Sequence, residues 1–319
     1  MGKYLLDNIR AQNPNARLGI VVSTRAGMIR DLLSAYPYIE VIEANRRSPR
    51  SLWRLWRLWR GSDVVVTQYA GKAGGRFGAA SKLAARLLAK KLVGFSDSAR
   101  FNGLLYDILL PFDPSVAPAE HERRALRAAG LEVPLHYPSL GAPQGRSALA
   151  AFGVEAGRYA VVHLFSGSTK RGLNPDKKRA LIAALRTAAP NLNLLVTGGQ
   201  ADKAEAERAA AGSGARVIAG EASLVHMQEL VAHAALVVSL DTGVAHIAAQ
   251  LGMPLVVLST CLGLFWWGSD QYGPGVPAAL ITNPVHTEES HTYVDYPECL
   301  DVDIDTVAAC AAHVVQQHA

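Results

Sequence analysis

Cysteine is scarce in this chain of 319 residues: Cys261, Cys299 and Cys310 are the only three. Their odd number and spacing fit neither a zinc site nor a disulfide framework, and they point to a reducing compartment. Long apolar runs are missing too, so no segment has the length to span a bilayer, and the amino terminus lacks the apolar core of a signal peptide. A cytoplasmic protein is expected. No Walker A sequence, no G-x-S-x-G elbow and no H-E-x-x-H occurs, which removes the commonest nucleotide-hydrolase, α/β-hydrolase and zinc-protease readings. Charge is modest at 18% of residues with a net of +5, which favours anionic partners without naming one. The cations are scattered and no aromatic-lined basic platform is visible, so nucleic acid is not an expected partner.

What the chain does have is hydrophobic residues, half of the total, enough for two cores. Apolar runs alternate with amphipathic stretches along both halves. In the first half the pattern predicts helix over 4–12, strand over 17–23, helix over 28–35 and strand over 39–43. It continues with strand over 63–68, helix over 79–91 and strand over 92–95. In the second half strands are expected over 159–164, 192–197, 215–218, 237–240 and 255–258, with helices over 175–189, 202–211 and 224–233 between them. Such alternation means parallel, doubly wound α/β sheets. Between the halves, Pro134, Pro138, Gly141, Pro143 and Gly145 crowd into residues 132–147, the expected linker. The domains are therefore placed at 1–147 and 148–319. The first opens inside a helix, where a doubly wound domain normally opens with a strand.

Three strands of the second half run into polar loops, and a parallel sheet brings all three ends to one edge. The loops are Ser166 to Arg171, Gly198 to Glu205, and Asp241 to His246. They offer hydroxyls, a lysine and a glycine pair that admits close backbone approach. They also offer a carboxylate and the free N–H groups of a helix start at Thr242, Gly243 and Val244. That inventory suits a nucleoside diphosphate. The alternative is a capped helix with a core histidine at His246.

Two stretches of the first half carry weaker signals. Gly71, Gly74, Gly75 and Gly78, with Lys72 and Arg76 among them, make either an anion-binding turn or a flexible connection. The run LWRLWRLWR at 52–60 sets a Leu/Trp face beside Arg54, Arg57 and Arg60. Docking on an anionic membrane is one reading. The favoured one is a surface helix whose tryptophans pack on the sheet while the arginines stay in water, because a single helix of this length binds membranes only marginally.

The run Ser239-Leu240-Asp241-Thr242-Gly243-Val244-Ala245-His246, followed by Ala248-Ala249 and Gly252-Met253-Pro254, resembles the signature of glycosyltransferase family 9, the heptosyltransferases. His163 with its Ser/Thr loop and Lys170, and Val196-Thr197-Gly198-Gly199, also fit; His121-Glu122 and the tail from Cys299 to Val307 fit more weakly. The resemblance implies a GT-B architecture of two Rossmann-like domains facing a cleft, the first without its opening strand. It also implies inverting, metal-independent transfer of a heptose-like sugar from an ADP-sugar to a lipopolysaccharide-core or related glycan acceptor, with no cofactor. Donor contacts would be Ser166, Lys170, Gly198, Gly199, Glu205, Asp241, Thr242, Gly243, Val244 and His246, with Asp202 and Glu207 near enough to Glu205 to compete for the ribose. Lys72 and Arg76 would lie on the acceptor side, in a protein that works in the cytoplasm and can touch the inner membrane surface. The family's Gly-Asp turn, the source of its general base, has no counterpart here: Gly2 is followed by Lys3, and Asp7 lies far along the helix. The family's Trp-Pro is Leu173-Asn174-Pro175. A silent nucleotide-sugar binder of the same fold is therefore the alternative.

Overall fold

The computed structural model describes residues 3–22, 26–45, 47–67, 79–95, 102–111, 113, 116–133, 140–141, 143, 145–167, 172–259, 267, 269–282 and 300–318. The chain divides into two compact units, Met1–Pro138 and Ser139–Ala319.

The first unit alternates helix and strand: α1 (Lys3–Gln12), β1 (Leu18–Val22), α2 (Ala26–Leu32), β2 (Ile39–Glu43), α3 (Pro49–Trp59) and β3 (Val65–Val66). It continues with α4 (Ala79–Leu88), β4 (Leu92–Phe95), α5 (Asn102–Leu105), β5 (Ile108–Leu110) and α6 (Pro118–Ala128). Its strands pair in parallel as two sheets, β1-β2 and β3-β4-β5. Neither β1 nor β3 has a second strand partner among the described residues. One cluster joins the two sheets through α3, with Leu55 and Trp59 packed beside Ile42, Ala85, Leu92 and Tyr106.

Here the reading of the Trp/Arg helix is corrected. Ser48 caps α3 by accepting the Ser51 N–H, and Leu55 and Trp59 are buried. Trp53 and Trp56, however, are 54% and 41% exposed, so two of the three tryptophans point to water. The reason is angular: at about 100° per residue, positions 55 and 59 lie about 40° apart on the packed face, while 56 falls about 80° and 53 about 140° from its centre.

The second unit begins with α7 (Ser147–Ala151), whose start is held by a buried carboxylate: Glu229 accepts the Ala148 N–H at 2.8 Å and the Ser147 hydroxyl at 3.1 Å. Next come β6 (Tyr159–His163), α8 (Pro175–Ala188), β7 (Asn193–Val196), a 3-10 turn (Gln200–Asp202), α9 (Lys203–Ala210) and β8 (Arg216–Val217). Then follow α10 (Leu224–Ala232), β9 (Leu236–Leu240), α11 (Gly243–Gln250), β10 (Leu255–Ser259), α12 (Ser269–Tyr272), β11 (Ala279–Thr282) and α13 (Ile304–His318). One six-stranded sheet, β11-β10-β9-β6-β7-β8, has every pair parallel. Its central strands are buried on both faces, as continuous apolar runs require. Alternate residues such as Val162, Val196, Val238 and Val256 meet α8, α9 and α13 in one core. The remaining α5, α7, α12, β5, β11 and most of α13 lie beyond the elements read from sequence.

Candidate functional site

The second sheet reverses its winding between β6 and β9. From β6 the chain adds β7 and β8 on one side, then returns to lay β9, β10 and β11 on the other. Open α/β sheets bind ligands at such a switch point, outside the carboxyl ends of the strands. His163 and Ser239 are register partners across it. Each strand therefore delivers its following loop to the same spot: Ser166 after β6, Gly198 and Gly199 after β7, and Asp241 and Thr242 after β9.

Asp241 is the hub. Trp267 donates its indole N–H to Asp241 Oδ1 at 3.1 Å, and His246 Nε2 lies 3.4 Å from the same oxygen. The His246 and Trp267 rings are stacked, 4.6 Å apart and 3° from parallel. On the far side of the imidazole, Nδ1 is 2.6 Å from the Tyr272 hydroxyl. Burial, with the Asp241 charge adding to it, pushes the Tyr272 pKa up, while a Gln271 contact pulls it down. The two ring nitrogens of His246 thus face different partners, Nδ1 the Tyr272 hydroxyl and Nε2 the Asp241 carboxylate. Trp267 and Tyr272 were missed from the sequence. They sit in an aromatic run, FWWGSDQY, after β10, and because β10 is parallel to β9 its carboxyl end opens on the same edge.

Thr242 stands at the start of α11 but makes no side-chain cap; its hydroxyl lies 3.3 Å from Ser239 Oγ instead. The first turn of α11 at Gly243 and Val244 thus keeps N–H groups that its N-cap side chain does not claim, and the helix dipole favours an anion there. Gly243 is exposed and Val244 is buried, so the peptide edge of Gly243 is the reachable one.

The other loops are organised around Asp202 and Glu205. Asp202 Oδ2 accepts the Gly199 N–H at 2.8 Å and its own N–H returns to Gly199 O at 3.0 Å, closing the turn after β7. A Cβ at Gly198 would sit 3.0 Å from Asp202 Cβ and 3.1 Å from Phe165 Cδ2, so the turn packs against that position. Glu205 Oε1 meets Lys178 Nζ at 2.6 Å, and that ammonium lies 4.7 Å above the Phe165 ring. Asp202 and Glu205 therefore have separate tasks, one shaping the loop and one paired to α8. His163 Nδ1 is 2.8 Å from Thr197 Oγ1, and burial lowers its pKa to about 4 against the raising effect of Asp202.

Of the other expected residues, Ser166 is half-buried at the mouth of β6. Lys170 lies outside the described residues, as do Lys72 and Arg76. In the first unit a cavity of about 420 Å³ is lined by Arg30, Arg50 and Arg54 with Asn45 and Ser48. Among the described residues, no group of three His, Cys, Asp or Glu side chains is placed to hold a metal.

Two α/β units built on parallel sheets, the second with a switch-point cradle, have the GT-B fold of glycosyltransferases. Residues 78–260 match the model of glycosyltransferase family 9 (heptosyltransferase), more than half of the chain. Similar solved structures include ADP-heptose lipopolysaccharide heptosyltransferase II of E. coli, at TM-score 0.70 and 18% identity, covering 99% of this chain and 94% of that one. The family 9 glycosyltransferase of Veillonella parvula aligns at TM-score 0.71 and 14% identity over 99% and 93%. E. coli heptosyltransferase WaaC with ADP aligns at TM-score 0.63 and 18% identity over 88% of each chain. Among curated proteins none matches. The chain belongs to glycosyltransferase family 9.

Proposed function

We propose that the chain is an inverting glycosyltransferase that moves a heptose-like sugar from an ADP-sugar to a lipopolysaccharide-core or related glycan acceptor, in the cytoplasm at the inner membrane surface. The observation that carries this is the placement of Asp241, His246 and the α11 start at the β6/β9 switch point. In the reaction an acceptor oxygen forms the bond to the anomeric carbon from the face opposite the diphosphate. The bond from that carbon to the diphosphate oxygen breaks, the electron pair leaves with ADP, and the acceptor proton passes to a base. Negative charge grows on the departing diphosphate. The helix start, with Ser166 and Lys170 as further donors, stabilises that charge with dipoles and cations fixed beforehand, so no metal is required. Asp241 and His246 hold the sugar side, Glu205 the ribose, and Lys72 and Arg76 the acceptor side. In this scheme the second domain, 148–319, binds the donor and the first, 1–147, the acceptor.

The chain is to be incubated with ADP-heptose and a lipopolysaccharide-core acceptor in the presence of EDTA, following ADP release and product anomeric configuration. Release coupled to inverted product is the expected result; retention of configuration would overturn the inverting scheme. A second reading, a silent nucleotide-sugar binder of the same fold, draws on the first unit, where neither β1 nor β3 has a second strand partner among the described residues. It predicts ADP binding by calorimetry with no transfer.

A further inference from the structure

The positive charge of this chain is concentrated. Residues 44–96 carry twelve Lys and Arg and a single carboxylate, Asp63, whereas the remainder holds twenty Lys and Arg against twenty-six Asp and Glu. That segment contains α3 and α4. Both helices, with α5, form one packed row, α3 against α4 and α4 against α5.

Exposed apolar side chains recur along this row, among exposed arginines. Leu52, Trp53 and Trp56 of α3 are 47%, 54% and 41% exposed, Leu83 and Leu87 of α4 are 49% and 74%, and Leu104 of α5 is 80%. Isolated exposed leucines are ordinary; two tryptophans and four leucines on three touching helices are not. Guanidinium groups ride on the indoles, Arg57 over Trp53 at 5.1 Å and Arg60 over Trp56 at 4.8 Å. Arg54 and Arg57 also share Glu40, at 3.2 and 3.6 Å, while Arg47, Arg50 and Arg60 stand in water at the rim. The buried residues Leu55 and Trp59 fix the helix to its unit, so the exposed face is presented without unfolding anything.

We propose that the outer face of α3, α4 and α5 docks on an anionic lipid bilayer, with Trp53, Trp56 and Leu87 entering the interface and the surrounding arginines meeting headgroup phosphates. Tryptophan favours the headgroup level because one ring edge is apolar and the other wet. A lone amphipathic helix binds marginally; here neighbouring helices add apolar surface, and the basic segment adds the electrostatic signal. No described helix is long and apolar enough to cross the membrane, so this is attachment to a surface. The inference deepens the proposed function by naming the surface that brings the enzyme to a membrane-borne acceptor, and it needs no turnover to be tested.

The full chain is mixed with vesicles of phosphatidylcholine alone or with roughly a third phosphatidylglycerol, and sedimentation and tryptophan emission are read. Binding to the anionic vesicles only, a blue shift, and loss of binding at about 0.5 M salt are expected. The double variant Trp53→Ser/Trp56→Ser and, separately, Leu87→Gln should each bind about tenfold or more weakly. ADP calorimetry on the same proteins should give equal affinities, which shows that the variants fold and reports on the donor site separately. The proposal is overturned if wild type stays in the supernatant or if the double variant binds as well as wild type. A double variant that turns a dimer into a monomer, in a protein that ignores vesicles, overturns it in favour of a second copy on this face.

Discussion

Lys178 holds Glu205 at 2.6 Å, so the carboxylate proposed to meet the donor ribose is set in place by a lysine from the preceding helix. Lys178 itself is 9% exposed and rests on the Phe165 ring, which leaves it little freedom to move away. Glu205→Ala should weaken ADP binding by about tenfold in calorimetry, the scale of one charge-assisted hydrogen bond. Lys178→Met should weaken it less and cost about 1 kcal/mol in denaturant unfolding, a figure reduced because Glu205 is a third exposed. Equal ADP affinity in wild type and Glu205→Ala would remove Glu205 from the site.

The Asp241 hub gives a second expectation. Trp267→Phe keeps most of the stacked area on His246 but deletes the indole N–H bonded to Asp241. Tyr272→Phe deletes the hydroxyl bonded to His246 Nδ1. Each should lower unfolding free energy by about 1 kcal/mol, the scale of one hydrogen bond removed from a largely buried group that keeps its other contacts. Each should also slow transfer by more than it weakens ADP binding if, as proposed, the hub holds the sugar side. Variants that change ADP affinity alone would place the hub on the nucleotide instead.

His163 makes stability pH-dependent. Its folded pKa is about 4, below the unfolded value of 6.5, so the unfolded chain takes up the proton first as pH falls. The contribution is complete above about pH 6.5 and is lost progressively as pH drops to about 4, by on the order of 1–3 kcal/mol. Urea unfolding between these values should show that loss in wild type and a flatter profile in His163→Gln. Parallel profiles would show that the slope belongs to carboxylates.

The turn after β7 offers a steric test. Gly198→Ala would press a methyl group to about 3 Å from both Asp202 and Phe165, and one of them must shift. Loss of about 1–2 kcal/mol in stability is expected, together with weaker ADP binding. Asp202→Ala frees the Gly199 N–H from its partner and should loosen the same turn. Binding unchanged in both would mean that the donor does not approach these glycines.

Much of the switch-point geometry of the second unit was legible in the sequence. The apolar runs read as strands over 159–164, 192–197 and 237–240 form buried parallel strands at Tyr159–His163, Asn193–Val196 and Leu236–Leu240, and parallel strands bring their following loops to one edge. The DTG-x-x-H run after the last of these therefore fell at the switch point. Trp267 and Tyr272 were not legible because they follow β10, in a run with no helical or strand period, and reach Asp241 through space. The pairing of Glu205 with Lys178 was hidden for the same reason: 27 residues separate them. For the LWRLWRLWR helix, the period of three marked the tryptophans as one set, yet α3 turns at 3.6 residues and splits them.

The sequence by itself thus determined the α/β class, the parallel strands and the run of residues at the switch point, because backbone periodicity and loop position are local properties. Which side chains surround Asp241, which carboxylate shapes a loop and which one pairs with a lysine, and which tryptophans face water were decided only by tertiary structure. Those outcomes depend on where separate helices and strands come to rest against each other, and no local pattern encodes that distance.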